Sequence, residues 1–145
     1  MPQPVLDFTF YIAAPIEKVW DGFVSKDANK TIFMGADFEI DLRPGGAMNW
    51  SGPGKDGKPM RYVTGEVIAA EAPTRLEYMF GMGDGAMKSH VVITLTQETE
   101  AVMVVVVNDR FAAGDPAYQQ NADGWPRILS RLKTLLETGK TFRPH

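Results

Sequence analysis

Cysteine is absent from the chain, which excludes disulfides, thiolate metal sites and cysteine nucleophiles together. Histidine occurs only at His90 and His145, so a zinc site would have to draw most of its ligands from carboxylates, and no clustered ligand spacing is present. No metal and no cofactor is expected. Basic runs are also missing, and 15 basic against 18 acidic residues leave a net charge of −3, the wrong balance for tracking a phosphate backbone. Nucleic acid is therefore not an expected partner. No apolar run approaches the ~20 residues that a spanning helix needs, and Met1 to Phe10 carry neither a basic leader nor a long apolar block. A cytoplasmic protein without a membrane span is expected.

What remains is an ordinary globular composition, with 145 residues, 44% hydrophobic and 23% charged, enough for one domain over 1–145 with a core of its own. Asp7 to Ile12 alternate, Phe8, Phe10 and Ile12 opposing Asp7, Thr9 and Tyr11, the period of a half-buried strand. Pro15 then opens a helix to about Val24, its stripe formed by Ile16, Val19, Trp20 and Phe23. Ser25 and Asp27 are both good caps for a short second helix over Ala28 to Phe33 that ends near Gly35.

From Asp37 the period returns to two. Strands are expected over Asp37 to Leu42, around Met48 and Trp50, over Arg61 to Ala69, Arg75 to Phe80, His90 to Gln97 and Val102 to Val107. Ser51 to Pro59 reads as a solvated hairpin loop, and Gly81 to Gly85 as a turn around Asp84. The latter precedes a strand, so it lacks the helix N-terminus that a phosphate cradle uses. Asp115 and Pro116 cap a long helix whose stripe is Ile128, Leu129, Leu132, Leu135 and Leu136, with Arg127, Arg131 and Lys133 away from it and Gly139 as terminator. Pro126 should kink this helix or divide it in two. The order β-α-α-β6-α makes an α+β fold in which a curved antiparallel sheet of six to seven strands closes around the C-terminal helix.

Several strings carry a resemblance over nearly the whole chain: Tyr11-Ile12-Ala13-Ala14-Pro15-Ile16-Glu17-Lys18-Val19-Trp20, Arg43-Pro44-Gly45-Gly46, Gly65-Glu66-Val67-Ile68 ahead of Pro73, and Gly124-Trp125 leading into Leu132-Lys133 and Leu135-Leu136-Glu137-Thr138-Gly139. They resemble the SRPBCC superfamily, and within it the homologues of the C-terminal domain of the heat-shock-protein-90 ATPase activator. The resemblance implies a START-like helix-grip fold with a cavity between sheet and helix, which relatives use for lipids, polyketides or other apolar molecules. It also implies a chaperone or other protein as an alternative partner, and a monomer or a homodimer. The matching strings are turn, cap and packing features, so no catalytic residue is carried over.

Strand parity and helix spacing name the expected cavity lining as Met48, Trp50, Arg61, Val63, Gly65, Tyr78, Phe80, Trp125, Leu129 and Leu132, with Met34, Met79, Met82 and Met87 at element ends. Aromatic walls with adaptable thioethers suit a small apolar ligand. Gly65 is expected to look into unfilled space, because a glycine on a helix-facing strand removes volume. Arg61 shares that parity, so it must pair, bind an anionic head or reach the sheet edge. His90 opposes Val91, Ile93 and Leu95 in parity and reads as an edge or solvent-side histidine. Asp37, Glu39 and Asp41 read as a solvated strand face. Ligand binding without catalysis is the leading expectation. A protein-interaction module is the alternative, and a polyketide cyclase-like or hydrolase-like enzyme using Arg61 and Tyr78 is a third.

Overall fold

The structure is a computed structural model that describes residues 4–33, 35–83, 85 and 89–143. Met34, Asp84, Met87 and His145 of the sequence reading lie outside them. Strand β1 (Leu6–Ile12) is followed by helices α1 (Ile16–Val24) and α2 (Lys26–Ile32). Strands β2 (Asp37–Ile40), β3 (Ala47–Pro53), β4 (Pro59–Glu71), β5 (Arg75–Met82), β6 (Ser89–Gln97) and β7 (Val102–Asp109) come next, and helix α3 (Pro116–Thr138) closes the chain. The seven strands form one antiparallel sheet in the order β1-β7-β6-β5-β4-β3-β2, the helix-grip arrangement expected from the sequence.

Local chemistry explains the helices. Val19, Trp20 and Phe23 bury one face of α1, and the Ser25 side chain caps α2 by accepting from the Ala28 N–H, satisfying a donor that a helix start leaves free. Asp115 does the same for α3 through the Ala117 N–H, and Gly139, at φ 86°, ends it in the left-handed region. Pro126 does not divide α3, which runs through it as one helix. Arg131, read from its spacing as lying off the apolar stripe, is instead only 3% exposed. It caps the C-terminal end of α2 by donating from Nη2 to the Thr31 carbonyl, so a second helix covers the flank that one helix's periodicity leaves to solvent.

Two of the sheet edges differ from the sequence reading. Strand β2 stops at Ile40, and Leu42 is exposed, because the chain has already turned: the Gly45 N–H donates to Val67 O. The β3–β4 ladder continues to the Pro53–Pro59 pair, so the loop is 54–58 rather than the whole of Ser51 to Pro59.

Register shifts between Trp50 and Ser51 and between Val67 and Ala69 mark β-bulges in the β3–β4 and β4–β5 ladders. Bulges bend a strand and increase its twist, and here they curl the middle of the sheet. Gly65 sits between them, paired with Met48 on one side and Phe80 on the other. A Cβ there would lie 2.9 Å from Met48 O and 3.0 Å from Met79 O. The glycine is thus required by close approach of two neighbouring backbones, and the expectation that it faces open space is overturned.

Candidate functional site: an aromatic cavity under the C-terminal helix

Between the sheet and α3 lies a cavity of about 220 Å³. Its walls come from the end of α2 (Phe33, Ala36), from β3 to β5 (Trp50, Tyr62, Val63, Tyr78, Phe80, Met82) and from α3 (Gln120, Asn121, Gly124, Trp125, Ile128). Phe33, Trp50, Tyr78 and Phe80 form a continuous row, with ring centroids 5.0, 6.4 and 6.1 Å apart in turn. Exposed Met82 and Gln120 frame the side that reaches solvent.

Two buried asparagines fix the indoles of this wall. Trp50 Nε1 donates to Asn29 Oδ1 at 3.2 Å, while Asn29 Nδ2 donates to Phe23 O and Ser25 O at 3.1 and 2.8 Å. Trp125 Nε1 donates to Asn108 Oδ1 at 3.1 Å, and Asn108 Nδ2 to His90 O at 3.0 Å. A buried amide that uses both its oxygen and its nitrogen holds its partner in one orientation. Tyr62 Oη is likewise committed, donating to Pro53 O at 2.8 Å. Tyr78 is different: it is 3% exposed, and its hydroxyl has no hydrogen-bond partner among the described residues. Burial pushes its phenol well above the ordinary tyrosine range, so it stays protonated.

Of the ten residues the sequence singled out, Trp50, Val63, Tyr78, Phe80 and Trp125 line this cavity. The others do not. Met48 is buried core and touches only a void of about 10 Å³. Leu129 and Leu132 are fully buried, and Leu132 packs so closely on α1 that a Cβ on Gly22 would meet its Cδ1. Gly65 is enclosed by backbone, as described above. Arg61 is exposed and pairs with Ser51, while Val63 pairs with Trp50. The bulge inserts Tyr62 between those pairs, which reverses parity and puts Arg61 on the opposite face of the sheet from Trp50. Tyr62 takes the place that parity assigned to Arg61.

The sequence reading does not single out Asn29 and Asn108, which hold the indoles, nor place Phe33, Ala36, Tyr62, Gln120, Asn121, Gly124 and Ile128 in the lining. Asn108 continues the buried set Val102, Val104 and Val106 at period two, and that parity was a usable signal. For Asn29, on a short helix with a polar sequence, no pattern points inward.

His90 also departs from expectation. It lies on the face opposite the cavity, as parity requires, yet it is only 7% exposed. Its Nδ1 is 2.8 Å from Asp109 Oδ1 and its Nε2 is 2.6 Å from Glu77 Oε2, with Arg75 Nη2 2.9 Å from the other Glu77 oxygen. The His90 contact, with help from Arg75, holds the Glu77 carboxyl below the usual glutamate range. Among the described residues no three His, Cys, Asp or Glu side chains are placed to hold a metal, and no helix is long and apolar enough to cross a membrane.

Comparison with known proteins places this architecture. No curated protein matches the chain, but solved structures do. A protein of Cytophaga hutchinsonii is 25% identical with a TM-score of 0.77, over 96% of this chain and 97% of that one. The Aha1 dimer from Colwellia psychrerythraea is 16% identical with a TM-score of 0.76, over 95% of this chain and 99% of that one. A protein of the dynemicin biosynthetic locus is 24% identical with a TM-score of 0.76, over 99% of this chain but 51% of that one. These likenesses establish the fold. The model of the family described as activator of Hsp90 ATPase homolog 1-like protein matches residues 13–137, and the chain belongs to that family.

Proposed function

We propose that the chain binds a small apolar ligand in the cavity under α3, as a binding protein rather than an enzyme. The observation that carries this reading is an unfilled space of about 220 Å³ walled by six aromatic side chains. The pocket is open to solvent on one side, and concave, mostly apolar pockets with a few placed polar groups are where small molecules bind. The two indoles are held in place by their asparagines before any ligand arrives, which lowers the ordering cost of binding.

Catalysis is the weaker reading. The described lining residues include no carboxylate, histidine, lysine or arginine, so no group there titrates near neutrality as general acid–base chemistry asks. Arg61, the cation that a cyclase-like mechanism would have used beside Tyr78, faces away. A chaperone or other protein as partner, and a homodimer as the working form, remain the alternatives that the family name and the dimeric relative suggest. They require no cavity.

Gly124 supplies the test. It lines the cavity, and a Cβ built on it meets no atom within 4 Å. Gly124→Leu should therefore fill the space without overpacking the core. The neutral two-ring probe 2-acetylnaphthalene should bind the wild-type chain and quench its tryptophan emission. The Gly124→Leu variant, with unchanged far-ultraviolet dichroism, should lose that response. Undiminished probe binding in the folded variant would remove the ligand from this cavity and favour a surface-mediated role.

A further inference from the structure

We propose that the cavity selects a neutral, planar ligand of one or two fused rings that carries a single hydrogen-bond acceptor, received by the Tyr78 hydroxyl. This rests on the ligand-binding reading above and names the ligand's chemical class.

Charge is decided by the lining. No carboxylate, histidine, lysine or arginine is among the described wall residues, and an ionised group taken out of water without a partner is prohibitively costly. A carboxylate or phosphate head would have to stay at the Met82–Gln120 mouth. That arrangement disfavours fatty acids and acyl phosphates as buried ligands.

Size follows from the volume. An apolar cavity of ~150 Å³ accommodates benzene, and pockets for drug-sized ligands run to roughly 300–1,000 Å³. The 220 Å³ here falls between these values and fits about two rings. A third linear ring would have to project between Met82 and Gln120. The rings of Phe33, Trp50, Tyr78 and Phe80, tilted by 42°, 49° and 56° in turn, make an aromatic wall against which the ring of a flat guest packs offset or edge-to-face.

The polar handle follows by elimination. Trp50, Trp125 and Tyr62 have already spent their donors on Asn29, Asn108 and Pro53. Asn121 is only half-buried and uses one of its two amide N–H groups on Ala117 O at 2.8 Å, and Gln120 is exposed at the mouth. That leaves the Tyr78 hydroxyl as the donor on a buried lining residue with no hydrogen bond to a described residue. Its oxygen is not among the atoms sealed in without a partner, so it is open to a ligand oxygen that would accept its hydrogen bond.

Four probes and one variant separate the outcomes, read by quenching of tryptophan emission. 2-Acetylnaphthalene should bind about two- to twelvefold more tightly than naphthalene, the net worth of one neutral hydrogen bond. 2-Naphthoate and 2-acetylanthracene should each bind at least roughly tenfold more weakly than 2-acetylnaphthalene, from the charge and the third ring respectively. In Tyr78→Phe the preference for 2-acetylnaphthalene over naphthalene should vanish while naphthalene affinity stays unchanged. Equal wild-type affinities for naphthalene and 2-acetylnaphthalene would overturn the proposal, as would tight binding of 2-naphthoate or 2-acetylanthracene, or a preference that survives in Tyr78→Phe. The wild-type ranking decides the matter even if the variant does not fold. Naphthalene binding without the ranking refutes the ligand class alone, whereas no binding by any of the four refutes the ligand-binding reading with it.

Discussion

Gly65→Ala adds one carbon and two hydrogens, and the structure predicts that the sheet cannot absorb them. The new Cβ would sit 2.9 Å from Met48 O on β3 and 3.0 Å from Met79 O on β5, well inside ordinary contact. Both obstacles are backbone carbonyls in antiparallel ladders, so relief means moving a strand rather than turning a side chain. Overpacking of this kind costs about 1–3 kcal/mol. Against it stands the unfolded-state benefit of replacing glycine, about 0.4–1 kcal/mol. The balance is a loss of about 1–2 kcal/mol. Urea unfolding should show a lowered midpoint with an unchanged slope, and for a chain of this length the thermal midpoint should fall by roughly 2–8 °C. Gly124→Ala is the matched control. It sits in the interior of α3 with no atom within 4 Å of its Cβ, and alanine there should raise stability by up to about 1 kcal/mol. Neutral or stabilising behaviour of Gly65→Ala would refute the close-approach argument and revive the idea that this glycine faces open space.

Further outcomes follow from the clamps and charges. Asn108→Ala should destabilise by about 1–3 kcal/mol, because it strands the buried Trp125 N–H and the His90 carbonyl; a midpoint unchanged in urea would show that water replaces the amide. Arg131→Met should leave stability unchanged or raised, since Nε and Nη1 are buried without a partner and apolar replacement of a poorly paired buried charge is often neutral or favourable. A loss above about 2 kcal/mol would instead make the Thr31 contact a structural necessity. Glu77 and Glu137 are both held below the ordinary glutamate value of 4.5, by His90 with Arg75 and by the Ala13 N–H with Lys133. A lowered folded-state value means the stabilisation is fully present above pH 4.5 and is lost as pH falls through the folded value. Stability measured against pH should therefore decline below about 4.5, and Glu77→Gln should flatten that decline; an unaltered acid limb would contradict the assignment.

Element order and the aromatic walls were legible in the sequence because both rest on local periodicity. Phe8, Phe10 and Ile12, or Leu76, Tyr78 and Phe80, reveal a strand face without knowledge of anything else in the chain. Asp115 with Pro116 and Gly139 mark the limits of α3 by cap chemistry alone. The failures share one physical cause. Parity breaks at a bulge, and the bulge opposite Trp50 and Ser51 exchanged Arg61 for Tyr62 at the cavity. Spacing on a single helix cannot register a second helix on its flank, which is why Arg131 reads as lying off the apolar stripe and yet is buried. Gly65 carries the same lesson: the absence of a side chain can mark space or the want of it, and only neighbouring backbones distinguish the two.

The central claim is that a ligand enters the space between the sheet and α3, and the three tryptophans report on it directly. Trp50 and Trp125 line the cavity, whereas Trp20 is buried on α1 away from it. Titration of the ¹⁵N-labelled chain with 2-acetylnaphthalene should shift the indole Nε1–H signals of Trp50 and Trp125 in a saturable manner and leave that of Trp20 in place. Signals that stay fixed at saturating probe, or a shift of Trp20 equal to the other two, would contradict the account.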